Sequence, residues 1–149
     1  MKALKLYYID NDYIDYLRQF DNKVYYNKSG TRPYVGVVYM CNGYYYFAPL
    51  SSPKPKHLKM DPKALDIFKI NHGKQGIVNI NNMIPTPKAC LKEAIANTID
   101  PNYKNLLITQ TRYLNTDKIK LLDKVYQFQS LYKRKLLPKR NLENYLSFK

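Results

Sequence analysis

Two serines and a lysine stand close together in a proline-rich segment that follows the first third of the chain. Ser51 and Ser52 are adjacent, and Lys54 follows two positions later. Hydroxyl groups donate hydrogen bonds to phosphate oxygens and an ammonium group supplies positive charge, so these residue types suit a bound phosphate. The same residue types are also common in solvated turns. The segment therefore predicts an anion site, with a solvated turn as the alternative.

Other kinds of active site find little support in the sequence. The chain has two histidines, His57 and His72, and its carboxylates are scattered, so clustered metal ligands are not indicated. Cys41 and Cys90 have no CxxC spacing, and we interpret both as core residues. No GxxxxGK[ST] or GxGxxG motif occurs. We predict neither a metal nor a cofactor.

The net charge selects the class of partner. The chain has 25 Lys plus Arg against 11 Asp plus Glu, which gives +14 at pH 7, and a field of that sign attracts polyanions, chiefly nucleic acid. Its 16 tyrosines suit stacking on single-stranded RNA bases, although tyrosine also fills β-strands. We predict RNA contacts at Lys28, Tyr34, Lys56, His57, Lys133, Arg134, Lys135, Lys139 and Arg140. For the last five, a solubilising helix end is the alternative.

The first half of the chain is predicted to be rich in strands. Leu4–Ile9 has the composition of a strand, and Asp10 can cap a short helix with apolar residues at helical spacing over residues 13–20. A basic loop is predicted to follow as far as Thr31. The clearest element is a hairpin with strands at 34–41 and 44–48, because the Asn42-Gly43 between them favours a type I′ turn.

The segment after the hairpin is predicted to be irregular at first. Pro49 is expected to end the second strand, and the prolines are expected to keep residues 50–57 out of regular structure. A helical turn is predicted at Asp61-Pro62. Short strands are predicted at 66–70, 77–80 and 83–85. Residues 88–98 fit either a helix or a strand.

The last third is predicted to be helical. Apolar and aromatic residues recur at three- and four-residue steps from Tyr103 to Leu114 and from Ile119 to Tyr132, as in two helices or one broken helix. Pro138 is expected to end this stretch, with a short helix from Asn141. We therefore predict one α+β domain over residues 1–149, with a small, strongly bent antiparallel sheet or open β-barrel and a helical C-terminal third. With neither a signal peptide nor a long apolar run, a cytoplasmic protein that does not enter a membrane is expected.

Several short motifs, taken in order along the chain, resemble one family of toxins. The block Ala48-Pro49-Leu50-Ser51-Ser52-Pro53-Lys54 is the most specific of them. The others are Tyr8-Ile9-Asp10, Tyr13-Ile14-Asp15-Tyr16-Leu17, Phe20-Asp21-Asn22-Lys23-Val24, Arg32-Pro33-Tyr34-Val35-Gly36, Asn42-Gly43-Tyr44, Met83-Ile84-Pro85, Tyr103-Lys104-Asn105-Leu106-Leu107 and Asp117-Lys118-Ile119. Over most of its length the chain is similar to the toxins of type III toxin–antitoxin systems, the ToxN and AbiQ type.

This resemblance implies an endoribonuclease built on an extended form of the small β-barrel of the MazF and Kid toxins. It also implies inhibition by a small repetitive RNA antitoxin that the toxin itself cuts into units, a role in phage defence by abortive infection, a preference for adenine-rich single strands and closed rings of alternating protein and RNA. Ser51, Ser52 and Lys54 match the active-site loop of the family. Arg32 falls where relatives can carry a lysine, and it is a poor proton acceptor because a guanidinium stays protonated.

The chemistry of such a site follows from RNA itself. The 2′-hydroxyl can attack the adjacent phosphorus in line, which leaves a 2′,3′-cyclic phosphate and a 5′-hydroxyl, and no metal is needed. Lys54, Arg32 and the Ser52 hydroxyl are suited to stabilising the charge of the phosphorane. The general base is left unassigned. The main alternative is a basic RNA-binding module without catalysis, and a membrane-surface protein with a basic amphipathic helix over 121–137 is a third.

Overall fold

A computed structural model of the protein describes residues 2–132. Within that range the chain forms seven strands and four α-helices, joined by turns and short 3-10 helices. The strands are β1 (Lys5–Ile9), β2 (Tyr34–Cys41), β3 (Tyr44–Ser51), β4 (Ile67–Lys69), β5 (Ile77–Asn79), β6 (Ile84–Pro85) and β7 (Leu91–Glu93). The helices are α1 (Asn11–Arg18), α2 (Pro55–Lys59), α3 (Pro101–Thr116) and α4 (Lys118–Tyr132). Across residues 2–132, no helix has both the length and the apolar character to cross a membrane.

The strands form one open, antiparallel sheet. Their order is β4-β5-β3-β2-β1-β7, so β4 and β7 are the outer strands. β6 pairs with the first part of β3, and β5 pairs with its last two residues. The predicted α+β class with an open antiparallel sheet and a helical C-terminal part is confirmed, whereas the likeness to the MazF and Kid barrel stays a prediction.

The predicted hairpin is confirmed, and its second strand is longer than predicted. Asn42 and Gly43 both have positive φ, 52° and 81°, as a type I′ turn requires. The prediction that Pro49 ends the strand was wrong, because β3 runs through it to Ser51. Residues 48 and 49 lie between the stretches of β3 that pair with β6 and with β5, so the missing N–H of proline disrupts no pairing there. Leu50 N–H then donates to the Pro33 carbonyl at 2.9 Å, which continues the ladder.

Two further predictions about the proline-rich region were wrong. Residues 50–57 do contain regular structure, since α2 begins at Pro55. Proline is tolerated at the first position of a helix, where its missing N–H would have no partner within the helix. At Asp61-Pro62, by contrast, the structure has a turn and no helix. The predicted strands at 66–70, 77–80 and 83–85 are confirmed in shorter form, and residues 88–98 form β7 between two 3-10 helices.

As far as Tyr132, where the described residues end, the C-terminal part is two helices with Asp117 between them. Asp100 caps the first, because its carboxylate accepts the N–H of Asn102 at 3.1 Å. The end predicted at Pro138 and the helix predicted from Asn141 lie outside the described residues.

The sheet carries a hydrophobic core on each face. Successive residues of a strand point to opposite faces, so Val35 and Ala48 pack in one core while Tyr34 and Phe47 pack in the other. The first core is completed by α3 and α4, and the second by α1. β2 and β3 are therefore central to both cores, and this packing fixes the position of β3, which leads into Ser51 and Ser52.

Asn115 joins α3 to the start of the sheet. Its side-chain oxygen accepts the N–H of Leu4 at 2.8 Å, and its side-chain nitrogen donates to the Leu4 carbonyl at 3.0 Å. The amide thus pairs with Leu4 as a neighbouring strand would, just before β1 begins.

We predict that Asn115→Ala lowers the free energy of unfolding by about 1–3 kcal/mol, because it leaves both backbone groups of Leu4 without a protein partner. Asn105→Ala is the matched control, since Asn105 lies exposed on the same helix, and it should change stability by less than about 0.5 kcal/mol. Urea denaturation measures both. Equal losses in the two variants would contradict the role given to Asn115.

Candidate active site

A turn whose backbone is partly left-handed packs against the segment Ser51–His57, which carries the two serines and Lys54. Between β4 and β5, Asn71, His72, Gly73 and Gly76 all have positive φ, from 49° to 94°. A Cβ at Gly76 would overlap the carbonyl oxygen of Ser51, and a Cβ at Gly73 would lie 2.6 Å from the carbonyl oxygen of His57. Backbone therefore packs directly on backbone at both ends of the Ser51–His57 segment.

Ser51 is oriented by Asn79. The side-chain nitrogen of Asn79 donates to Ser51 Oγ at 3.0 Å and to the Pro49 carbonyl at 3.1 Å. Because an amide NH₂ only donates, the Ser51 oxygen acts as acceptor here and its own proton is left for another acceptor. Ser51 and Ser52 are both half-buried, and Asn79 is buried. Asn79 was not predicted from the sequence, where its signal is an amide that directly follows the apolar Ile77-Val78 of a strand.

Arg32 is anchored beside the same serine. Its Nε donates to the Tyr26 carbonyl at 2.9 Å, and its Nη1 donates to the Leu50 carbonyl at 3.2 Å. The guanidinium also lies 4.7 Å from the centre of the Tyr25 ring. The structure thus places the charge of Arg32 next to the residue that precedes Ser51.

The predicted basic loop is held by side chains, with a 3-10 helix at Lys28–Gly30 as its only regular element among the residues that the structure describes. Arg18 donates to the Val24 carbonyl and lies 3.5 Å from the centre of the Tyr26 ring. Asn27, which is buried, donates to the Ile9 carbonyl at 2.6 Å. These bonds fix an irregular segment without strand or helix pairing.

This loop brings Lys28 to the cations of the site. Burial lowers the pKa of Lys28, and the nearby charges of Arg32 and Lys54 lower it further. Lys28 therefore lies within range of the charges of Arg32 and Lys54, and we call these three residues the cationic cluster. Together with the hydroxyls of Ser51 and Ser52, it is the arrangement of charge and donors that suits a phosphate.

His57 lies in the interior, which corrects its prediction as an RNA contact. Its side chain is fully buried. Its ring nitrogen Nδ1 accepts the backbone N–H of Lys54 at 3.2 Å, and the backbone N–H of His57 donates to the Lys54 carbonyl at 2.9 Å. Burial lowers the pKa of His57, and the charges of Lys56 and Lys54 lower it further. Acceptance of a hydrogen bond at Nδ1 requires the neutral imidazole, and the lowered pKa favours that form.

The other predicted RNA contacts are placed unequally. Tyr34 is fully buried under α1, and burial raises the pKa of its phenol, so its ring is not available for a base to stack on. Lys56 is exposed on α2. The remaining five predicted contacts form a C-terminal cluster, which lies outside the described residues: Lys133, Arg134, Lys135, Lys139 and Arg140. Among residues 2–132, no group of three or more His, Cys, Asp or Glu side chains is placed to hold a metal ion.

The family is decided by comparison with known proteins. The family model described as "Toxin ToxN, type III toxin-antitoxin system" matches residues 5–148. The chain belongs to the ToxN toxin family. The ToxN match therefore includes every segment of the candidate site described above.

Curated relatives in the ToxN family agree. The endoribonuclease ToxN of Bacillus thuringiensis subsp. kurstaki is 38% identical over 131 residues, which are 83% of this chain and 67% of the relative. The endoribonuclease ToxN of Pectobacterium atrosepticum is 32% identical, over 78% of this chain and 75% of the relative. The endoribonuclease AbiQ of Lactococcus lactis subsp. lactis is 30% identical, over 82% and 72%.

Solved structures show the same ToxN fold. One, from work on a processed non-coding RNA that regulates a bacterial antiviral system, has a TM-score of 0.75 at 29% identity and covers 86% of this chain and 85% of that one. A second concerns selective toxin inhibition by a non-coding RNA pseudoknot in type III systems; its TM-score is 0.72 at 36% identity, with 85% and 77% covered. A third is AbiQ, a lactococcal anti-phage endoribonuclease, with a TM-score of 0.73 at 26% identity and coverages of 86% and 81%.

We predict that Gly76→Ala destabilises the protein more than Gly43→Ala does. Both glycines have positive φ, 94° and 81°, so both variants carry a similar backbone strain of about 1 kcal/mol. Nothing lies within 4 Å of a Cβ at Gly43, whereas a Cβ at Gly76 meets the Ser51 carbonyl. The overlap should cost about 1–3 kcal/mol in addition. Urea denaturation of both variants measures the difference, and similar losses would show that the turn does not press on Ser51.

Proposed function

We propose that the protein is the endoribonuclease toxin of a type III toxin–antitoxin system, with its active site at Ser51, Ser52, Lys54 and Arg32. The observation that carries this proposal is the cationic cluster beside two hydroxyls at the end of β3, in a chain whose curated relatives are named endoribonucleases. The cluster supplies charge, and the end of β3 supplies fixed donors.

The reaction is transesterification of the RNA backbone. The 2′-oxygen attacks the adjacent phosphorus and loses its proton to a base, while the bond from phosphorus to the 5′-oxygen breaks and that oxygen gains a proton. The products carry a 2′,3′-cyclic phosphate and a 5′-hydroxyl. Charge builds on the non-bridging oxygens in the transition state, so fixed donors accelerate the step most.

Each group of the site has a distinct part in this step. Lys54 and Arg32 neutralise the phosphorane charge, and the two anchoring bonds of Arg32 hold its guanidinium in place. Ser51 accepts from Asn79, which leaves its own proton available to donate to a phosphate oxygen. The Ser52 hydroxyl supplies a second donor. The general base is not assigned.

The positive charge of the toxin indicates RNA as its partner, and the resemblance to the ToxN and AbiQ toxins implies which RNAs it binds. Lys28, Lys56 and the C-terminal cluster Lys133, Arg134, Lys135, Lys139 and Arg140 contact phosphates. Tyr26, 73% exposed in the basic loop, offers a ring for stacking on a base. The RNAs are adenine-rich single strands of cell or phage in the cytoplasm, and a small repetitive antitoxin RNA that the toxin processes and that inhibits it in a closed protein–RNA ring.

We expect the purified protein to cleave an adenine-rich RNA in excess EDTA, because the proposed step uses no metal. Ser52→Ala should reduce the rate by about 10²–10³ or more, since it removes a donor to the phosphorane, while leaving RNA binding largely intact. Ser130→Ala, at an exposed serine of α4, is the matched control. Gel analysis of the fragments and their ends measures both the rate and the chemistry.

Three results of that experiment would count against the proposal. Full cleavage by Ser52→Ala would remove Ser52 from the site. Loss of cleavage in EDTA would contradict the metal-free mechanism. Tight, salt-sensitive binding without cleavage of several RNAs would favour a non-catalytic RNA-binding module.

We further predict that Asn79→Ala slows cleavage about tenfold, because Ser51 loses the bond that orients its hydroxyl. Asn81→Ala is the control, as Asn81 is half-buried two residues further on. Ser51→Ala and the double variant complete a cycle. If Asn79 acts through Ser51, the double variant is no slower than Ser51→Ala; independent, multiplying losses would contradict this.

A further inference from the structure

The cap of α2 is unusual in the residue that provides it. Lys54 is the residue before the first helical position, where serine, threonine, aspartate or asparagine normally accepts a backbone N–H. A lysine side chain has donors only, so it cannot fill that role. The position therefore carries an ammonium group at the expense of an ordinary helix cap.

His57 takes over part of the cap from three residues further on. Its Nδ1 accepts the N–H of Lys54, in the way that glutamate or glutamine does in a capping box. The backbone N–H of His57 in turn donates to the Lys54 carbonyl. Both backbone groups of Lys54 are thus bonded to one residue.

His57 is itself fixed by its surroundings. Its side chain is fully buried, and its carbonyl is packed so closely against Gly73 that no Cβ fits there. A group held on two sides in this way transmits its position to the backbone of Lys54. The other end of the segment, at Ser51, is held by Gly76 and Asn79.

The second ring nitrogen has no comparable bond. Nε2 of His57 is buried and has no hydrogen-bond partner among the described residues. In the neutral imidazole that accepts at Nδ1, the proton is on Nε2. Among the described residues, only Nδ1 of the ring makes a hydrogen bond. The one side-chain hydrogen bond that the structure gives His57 is therefore made through Nδ1.

We propose that His57 is a positioning residue of the active site, whose Nδ1 fixes the backbone of Lys54 and so holds the ammonium in register with Ser51 and Ser52. The inference rests on the proposed function. It assigns His57 no contact with RNA and no proton transfer.

The test uses substitutions that place an amide group near one ring nitrogen position at a time. In His57→Asn the amide oxygen takes the place of Nδ1, whereas in His57→Gln it falls near Nε2, and His57→Leu removes both. The complete chain is assayed for the single-turnover rate of cleavage of an adenine-rich RNA. Its affinity for the same RNA, with 2′-O-methyl groups that prevent cleavage, is measured separately.

We expect His57→Asn to cleave within about threefold of the wild-type rate, and His57→Gln and His57→Leu to be slower by about 10- to 100-fold, as a displacement near 1 Å would cause. Affinity for the uncleavable RNA should change by less than about threefold in all three variants. Equal rates for His57→Asn and His57→Gln, a wild-type rate for His57→Leu, or a loss confined to affinity would each overturn the proposal.

A second measurement covers variants that do not fold. The ¹⁵N chemical shifts of the His57 ring in the wild-type protein near neutral pH report which nitrogen carries the proton. A proton on Nε2, with Nδ1 as acceptor, is expected, and a proton on Nδ1 would overturn the inference. If instead the wild-type protein cleaves no RNA, the proposed function fails, and that outcome is distinct from a failure at His57.

Discussion

The direct packing of one backbone segment on another is the constraint on which the site depends. The turn between β4 and β5 comes so close to the Ser51–His57 segment that only glycine fits at positions 73 and 76. Both glycines also have a φ that other residues adopt at a cost. Because close packing leaves no room for adjustment, neighbouring main chain fixes both ends of the segment that carries the serines and Lys54, and the side chains of Asn79 and His57 add to this.

The strand that leads into this segment is equally constrained. β3 has partners on both edges and contributes to the core on both faces of the sheet. A shift of β3 would therefore disturb both cores. Asn79 and Arg32 add side-chain bonds at the point where the strand ends, so orientation of donors is built into the fold before any ligand binds, which is the condition for electrostatic catalysis.

Local signals in the sequence predicted much of this fold. Asn42-Gly43 specifies a turn by itself, and the spacing of apolar residues specifies α3 and α4. Features that depend on distant neighbours were missed. Pro49 stays within a strand because of where β5 and β6 end, and Tyr34 and His57 are buried although their types are common in RNA-binding surfaces. Asn79 acquires its role only through a strand pairing that is remote in sequence.

The cationic cluster links the stability of the toxin to its ligand. In the free protein the nearby charges of Arg32 and Lys54 disfavour the charged form of Lys28 and lower its pKa. A polyanion that binds the folded chain relieves this repulsion and shifts the folding equilibrium by mass action, by about 2.7 kcal/mol when its concentration is 100 times Kd. Under the proposed function, the inhibitory RNA then also acts as a stabiliser of the fold. Under the same proposal, the toxin without that RNA is the less stable of the two forms.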